Sequence, residues 1–244
     1  MRDGVGGDEG EASTGDRTLP ALALLVVGLA TFNVARSAVL PERWHAVAGV
    51  AMAGFVALLA RWASLGASEL GLGRDRLGSG LRWGGAAVAA IVVVVVVGAL
   101  VPSADEALAD ARVQVGAGSM LWEVGVVTPF GTVLLEELAF RGVLLGLLLR
   151  RLGRWPAVVV SSVLFGLWHV LPTLGTSAGN ALASGVLDRP GGLALVVAGN
   201  VAATFAAGVA FCWLRLWSGS LVAPVLAHLG TNDVAFVIAW WRAR

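Results

Sequence analysis

Seven long apolar segments, separated by short polar or charged stretches, dominate the pattern of hydrophobic positions along the chain. Each is close to, or longer than, the about 20 residues that a helix needs to cross the hydrocarbon core of a bilayer. We predict helices throughout, because an open strand in lipid leaves its backbone groups unpaired. The same argument assigns helix to the run IVVVVVVG, which would favour a strand in water. The segments are Leu19–Ala35, Trp44–Leu65, Trp83–Val101, Met120–Leu149, Trp155–Leu171, Leu193–Leu216 and Leu221–Trp241.

The fourth of these segments is longer than one membrane crossing requires. We expect it to be either tilted or broken near Pro129, and a break would give an eighth short segment. The predicted fold class is therefore all-α: a polytopic transmembrane helical bundle of seven or eight spans.

Composition supports this class. Hydrophobic residues make up 57% of the chain and charged residues only 14%, whereas soluble domains carry about a quarter charged residues. The formal net charge of +1 gives no electrostatic footprint for a nucleic-acid partner, so none is predicted. The expected partners are membrane lipid and a membrane-associated substrate, while composition leaves the oligomeric state open.

Arginine placement predicts the orientation in the membrane, since cytoplasmic loops carry an excess of positive charge. The loop that follows the second segment and the short loop RRLGR that follows the fourth are both rich in Arg and are predicted to be cytoplasmic. The acidic loop PSADEALADAR after Val101 is predicted to be external. This places the N-terminus in the cytoplasm, and residues 1–18, which are polar, acidic and rich in Gly, are predicted to form a disordered tail there.

Three charges lie deep in the fourth segment: Glu136, Glu137 and Arg141. Each costs at least about 2.5–3.5 kcal/mol at the bilayer centre on the insertion scale. Glu137 and Arg141 are four residues apart, so they share a helical face and are predicted to pair. Glu136 is rotated by about 100° and has no local partner.

Two later segments carry polar side chains at a similar depth. Counted from the predicted cytoplasmic ends, Glu136 and His169 are each fourteen residues in, about 21 Å at 1.5 Å per residue. His228 and Asn232 are nine and thirteen residues in, which corresponds to about 14 and 20 Å. A lone intramembrane His more often bonds a neighbouring helix, and Phe165 on the face of His169 suits packing. Four functional groups in one layer nevertheless favour a functional site.

The polar motifs resemble those of the CPBP intramembrane proteases, the family of the type II CAAX prenyl endopeptidase, also called Abi. The family shows Glu-Glu-x-x-x-Arg, here EELAFR; Phe-x-x-x-His, here FGLWH; and His-x-x-x-Asn, here HLGTN. The helix containing NVAATFAAGVAFCWLRL also resembles a family motif. The resemblance covers roughly half of the chain. It divides the chain into the tail 1–18, N-terminal transmembrane helices 19–118 and a catalytic transmembrane domain 119–241.

The resemblance implies endopeptidase activity inside the membrane. In the family's proposed mechanism, the residues matching Glu136 and His169 activate a water molecule, and those matching His228 and Asn232 stabilise the oxyanion. Glu137, Arg141 and Phe165 match supporting positions. No cofactor is implied by this mechanism. The composition is typical of bacteria, which predicts the bacterial plasma membrane as location and leaves the substrate open, from prenylated CAAX-like proteins to other membrane-associated peptides.

Three alternatives remain open at the level of sequence. Glu136, His169 and His228 have the residue types of a three-ligand catalytic zinc site, although the chain has no HExxH pair. A proton-coupled transporter would use the same Glu and His residues as a relay, but we find no inverted repeat to favour it. A non-catalytic bacteriocin-immunity or scaffold protein would keep the fold without turnover.

Overall fold

The structure is a computed structural model that describes residues 16–101, 113–176 and 181–244. Within these residues the backbone is helical and contains no strand, which confirms the predicted all-α class. Most of the predicted cytoplasmic tail and the acidic loop predicted to be external lie outside the described residues. The division into three regions also stays a prediction.

The helices are numbered in chain order. They are α1 (Thr18–Ala38), α2 (His45–Trp62), α3 (Ala67–Leu70), α4 (Leu77–Ala99), α5 (117–149), α6 (Arg154–Trp168), α7 (Val170–Thr176), α8 (Ala181–Leu187), α9 (Gly192–Ser218) and α10 (Val222–Arg242). Single 3₁₀ turns at Glu42–Trp44 and Arg74–Arg76 precede α2 and α4. The run of valines lies within α4, as the lipid argument predicts.

Six helical segments of the described chain are long and apolar enough to cross a membrane. They are Thr18–Ala38, Glu42–Trp62, Ala67–Ala99, Arg154–Gly175, Gly192–Ser218 and Val222–Arg242. Large apolar side chains remain exposed on their outer faces, for example Leu58 and Val94, as expected for surfaces that contact lipid. These segments correspond to six of the seven predicted spans, and α5 is the remaining one.

Helix α5 passes through Pro129 without a break, so the eighth segment that a break would create is absent from this stretch. Its backbone alternates between α and π geometry. The α parts are Ala117–Trp122, Leu134–Glu136 and Leu145–Leu149, and the π parts are Glu123–Val133 and Glu137–Leu144. Proline removes one backbone donor and crowds the preceding turn, and the wider π turn accommodates both effects. The two π stretches flank Glu136, in keeping with the frequent occurrence of π geometry at functional sites.

Close contacts between helices depend on small residues, as is common in membranes. A Cβ added at Gly49 of α2 would lie 2.7 Å from the backbone oxygen of Gly131 in α5. A Cβ at Gly208 of α9 would lie 3.1 Å from Cα of Ser162 in α6. These contacts bring α2 against α5 and α9 against α6, and the buried apolar core lies mainly among α1, α2, α5 and α6.

We expect Gly49→Ala to lower the thermal stability of the protein in detergent. The added methyl group meets backbone rather than a movable side chain, so the helices must separate, at a cost of about 1–3 kcal/mol. Gly54→Ala, on the same helix, is the matched control because, apart from the local backbone of α2 itself, no atom lies within 4 Å of its new Cβ. Equal melting temperatures for the two variants would contradict the close α2–α5 contact.

The two Arg-rich loops lie at one end of the bundle. Arg150, at the end of α5, donates at 2.8 Å to the carbonyls of Ala63 and Ser64 and pairs at 2.6 Å with Glu69. Arg215 of α9 donates at 2.9 Å to the carbonyl of Glu69. These contacts fasten α3 to α5 and α9 and place both loops on the same side. That this side is the cytoplasm stays a prediction.

Candidate active site

Glu136 lies at the centre of a buried polar cluster. Its side chain is 4% exposed, and the indole Nε1–H of Trp168 donates to Oε1 at 2.9 Å. The other oxygen, Oε2, is buried and has no hydrogen-bond partner. Nε2 of His169 lies 3.9 Å from Oε2, and Nε2 of His228 lies 3.8 Å from it. The structure therefore brings together three of the four residues predicted to be catalytic.

The gaps between Oε2 and the two imidazoles are too long for direct hydrogen bonds. For polar contacts beyond about 3.5 Å, a water molecule between the two groups has to be considered. The imidazole of His169 is 20% exposed, whereas that of His228 is 6% exposed. The cluster is thus more exposed on the side of His169 than on the side of His228.

Each histidine is oriented through its other ring nitrogen. Nδ1 of His169 lies 2.7 Å from the carbonyl oxygen of Phe165, one turn earlier in α6. Nδ1 of His228 lies 2.8 Å from Oε1 of Glu137. Because carbonyl and carboxylate oxygens only accept, both Nδ1 atoms carry the proton. In a neutral ring the Nε2 lone pair then points towards Glu136.

Glu137 and Arg141 form the predicted pair, and both side chains are fully buried. Nη1 of Arg141 donates to Oε1 of Glu137 at 2.8 Å. The guanidinium also lies over the ring of Phe165, with Cζ 3.9 Å from its centroid, and 5.0 Å from that of Phe211. Phe165 thus supports the site through a cation–π contact as well as by packing. The pair is not isolated, since the same oxygen of Glu137 also binds His228.

The cluster holds two carboxylates, Glu136 and Glu137, and one guanidinium, Arg141. Arg36 of α1 adds a further positive charge that is attracted to Glu136. Buried charges are costly unless they are paired, so these two cations stabilise the carboxylates of the site.

Asn232 does not take part in the contacts that link Glu136, His169 and His228. It lies in the π stretch Gly230–Val234 of α10, its side chain is exposed, and it has no side-chain hydrogen bond among the described residues. Its neighbour Thr231 donates to the carbonyl of His228 at 2.8 Å, which ties this turn to the site. The role assigned to Asn232 stays a prediction.

Three residues near the site are absent from the sequence-based predictions. Trp168 donates a hydrogen bond to Glu136. A Trp in an apolar segment could have been identified from the sequence as a candidate, because a buried indole N–H needs an acceptor. Asn33 of α1 donates to the carbonyl of Trp168 at 2.8 Å. Arg36, one turn further along α1 and partly buried, is attracted electrostatically to Glu136. Asn33 and Arg36 could have been identified from the sequence, because each is a polar side chain in an otherwise apolar helix.

Fold and site together define an integral membrane protein with a buried Glu–His cluster. Residues 118–234, from the start of α5 into α10, match the family model described as type II CAAX prenyl endopeptidase Rce1-like. No curated protein and no solved structure matches the chain. The matched region contains every residue predicted for the site, and this match supports a CAAX protease-like family for the chain. The family implies a protease.

Proposed function

We propose that the protein is an intramembrane endopeptidase that hydrolyses peptide bonds of membrane-associated substrates, CAAX-like proteins among them. The observation that supports this proposal best is the convergence of a buried, unpaired carboxylate oxygen with two imidazole nitrogens at 3.8 and 3.9 Å. Oε2 of Glu136 can accept a proton, and the Nε2 atoms of His169 and His228 lie close to it. This arrangement suits the activation of a water molecule.

In the proposed mechanism a water molecule lies between Oε2 of Glu136 and Nε2 of His169. Glu136 takes a proton from the water molecule while the oxygen of the water attacks the scissile carbonyl carbon. Glu136 later returns this proton to the leaving nitrogen. General-base catalysis of this kind contributes about 10²–10⁴-fold. Glu136 and His169 are the residues that touch the nucleophile.

His228 and Asn232 stabilise the oxyanion in this proposal. In this step His228 carries a proton on each ring nitrogen, and Nδ1–H donates to Glu137. Nε2–H then donates to the developing oxyanion. The exposed amide of Asn232 supplies a second donor, and one such donor contributes about 3–4 kcal/mol.

One feature of the structure favours a zinc-dependent alternative with the same residues. Histidines that bind zinc usually donate their other ring N–H to a carbonyl or a carboxylate, as His169 and His228 do here. Two imidazole nitrogens and Oε2 of Glu136 are the donor types of a three-ligand catalytic zinc site, but the described residues contain no group of three such side chains arranged to hold a metal ion. A bound zinc ion would polarise the substrate carbonyl and lower the pKa of a bound water.

The activity is tested with purified protein in liposomes that contain a library of membrane-anchored peptides, half of them carrying a C-terminal prenyl group. Mass spectrometry identifies the cleaved bonds, with and without a chelator. We expect cleavage within or next to the membrane, in products that Glu136→Gln does not form. The absence of any product with wild-type protein across the library, or equal products from both proteins, would contradict the proposal.

The mechanism is tested with two substitutions. Without metal, His228→Gln keeps a donor and partial activity, whereas Asn232→Asp loses about 10²–10³-fold because a carboxylate opposes the oxyanion. With zinc, His228→Gln loses metal and activity together, and Asn232→Asp is tolerated as a further oxygen ligand. Elemental analysis of each protein, together with turnover measured in the presence of a chelator, distinguishes the metal-free mechanism from the zinc-dependent one. Stoichiometric zinc whose removal stops turnover, and whose return restores it, would overturn the metal-free mechanism.

A further inference from the structure

The first transmembrane helix contacts the active site, although it lies outside the region that matches the family. Asn33 of α1 donates from Nδ2 to the carbonyl of Trp168 at 2.8 Å, and its side chain is buried. The ring of Phe32 is stacked on the Trp168 indole, with centroids 6.4 Å apart and planes 5° apart. Helix α1 thus contacts both the backbone and the ring of Trp168, the last residue of α6.

The Trp168 indole is also held from α5. Phe140 packs its ring edge-to-face against the indole, at 5.9 Å between centroids and 67° between planes. Trp168 is 6% exposed, so its ring fills a closed space between α1 and α5. Within that space the indole N–H points at Oε1 of Glu136, 2.9 Å away.

An indole N–H suits this position because it is only a donor. It binds one carboxylate oxygen, cannot take the proton that the reaction moves and carries no charge to neutralise Glu136. With Oε1 held, the rotation of the carboxylate is fixed, and Oε2 faces His169 and His228. Catalytic groups have to be held close to the productive geometry, and a displacement of about 1 Å costs up to 10²-fold.

We propose that Trp168 is a positioning residue for the Glu136 carboxylate, and that Asn33 and Phe32 of α1 hold Trp168 in place. This inference rests on the proposed function, since it concerns the geometry of the proposed general base. Its consequence is that α1 forms part of the catalytic unit, and that a fragment restricted to 118–234 lacks the α1 contacts that hold Trp168 in place.

The test compares two replacements of Trp168. Trp168→Phe removes the N–H and part of the ring, whereas 3-benzothienylalanine, introduced at the same position, keeps the bicyclic shape and replaces the N–H by sulfur. We expect both to lower kcat by about tenfold to a hundredfold with KM within twofold of wild type. For Asn33→Leu we expect a fall in kcat of about fivefold, as for the loss of one ordinary hydrogen bond.

The matched control is Trp240→Phe. The Trp240 indole donates to the carbonyl of Val115 at 2.8 Å, remote from the Glu–His cluster, so its loss should leave kcat and KM unchanged. Full activity of the benzothienylalanine protein beside an impaired Trp168→Phe would show that Trp168 only fills space and would overturn the inference. Normal turnover in Glu136→Gln would instead overturn the proposed function, so the two failures are distinguishable.

Discussion

Replacement of Glu136 by Gln is expected to abolish peptide hydrolysis while the protein still folds and inserts. The Gln side chain has the same size, and its amide oxygen still accepts the hydrogen bond from Trp168. Its amide nitrogen cannot accept a proton from water, so the general-base contribution of about 10²–10⁴-fold is lost. Turnover of a peptide identified in the library assay, together with thermal unfolding of each protein, measures the two effects separately.

His169→Ala should give a loss of similar size, since Nε2 of His169 is the exposed nitrogen beside Oε2. The matched control for Glu136→Gln is Glu123→Gln, which changes another carboxylate of α5 that has no part in the proposed chemistry. Turnover above a tenth of the wild-type rate in Glu136→Gln would show that this carboxylate is not the general base.

Contacts fixed by the geometry of a single helix were predictable from the sequence. Glu137 and Arg141 are four residues apart, which places them on one face whatever surrounds the helix, and they do pair. The grouping of Glu136 with His169 and His228 needed only the helical rise and the positions of the Arg-rich helix ends, because depth in a bilayer depends on little else.

Contacts that depend on helix rotation were not predictable in this way. The bonds from Trp168 to Glu136 and from His228 to Glu137 require particular faces of α6 and α10 to meet α5. A depth count leaves those rotations open, since every residue of one turn lies at nearly the same depth. The exposed position of Asn232 reflects the same limit, because its predicted depth does not state which way it faces.

The geometry of α5 shows a further limit. The sequence indicated only that a segment of this length with Pro129 would be tilted or broken. Pro129 accounts for a local change in hydrogen bonding, and the stretch that contains it also packs closely against α2 through Gly49 and Gly131, a contact that the sequence did not predict.

Arg141→Ala is expected to destabilise the protein by about 3–5 kcal/mol, the cost of leaving a buried charge without its partner. Glu137 would keep only the bond from His228, in a site where its side chain is fully buried. Activity should fall as well, because Glu137, which is the acceptor for Nδ1 of His228, would lose the partner that holds it in place. Thermal unfolding in detergent, with turnover measured well below the melting temperature, records both effects.

The double variant Glu137→Leu with Arg141→Leu should recover much of the stability, because two apolar side chains of similar bulk often replace a buried ion pair at little cost. Its activity should remain low, since Nδ1 of His228 would have lost its acceptor. Arg76→Ala is the control for removing an arginine: its ion pair with Asp75 is exposed and contributes about 1 kcal/mol or less. If the double variant is no more stable than Arg141→Ala, the buried pair is not what stabilises this part of α5; if it is stable and fully active, the carboxylate of Glu137 has no part in orienting His228.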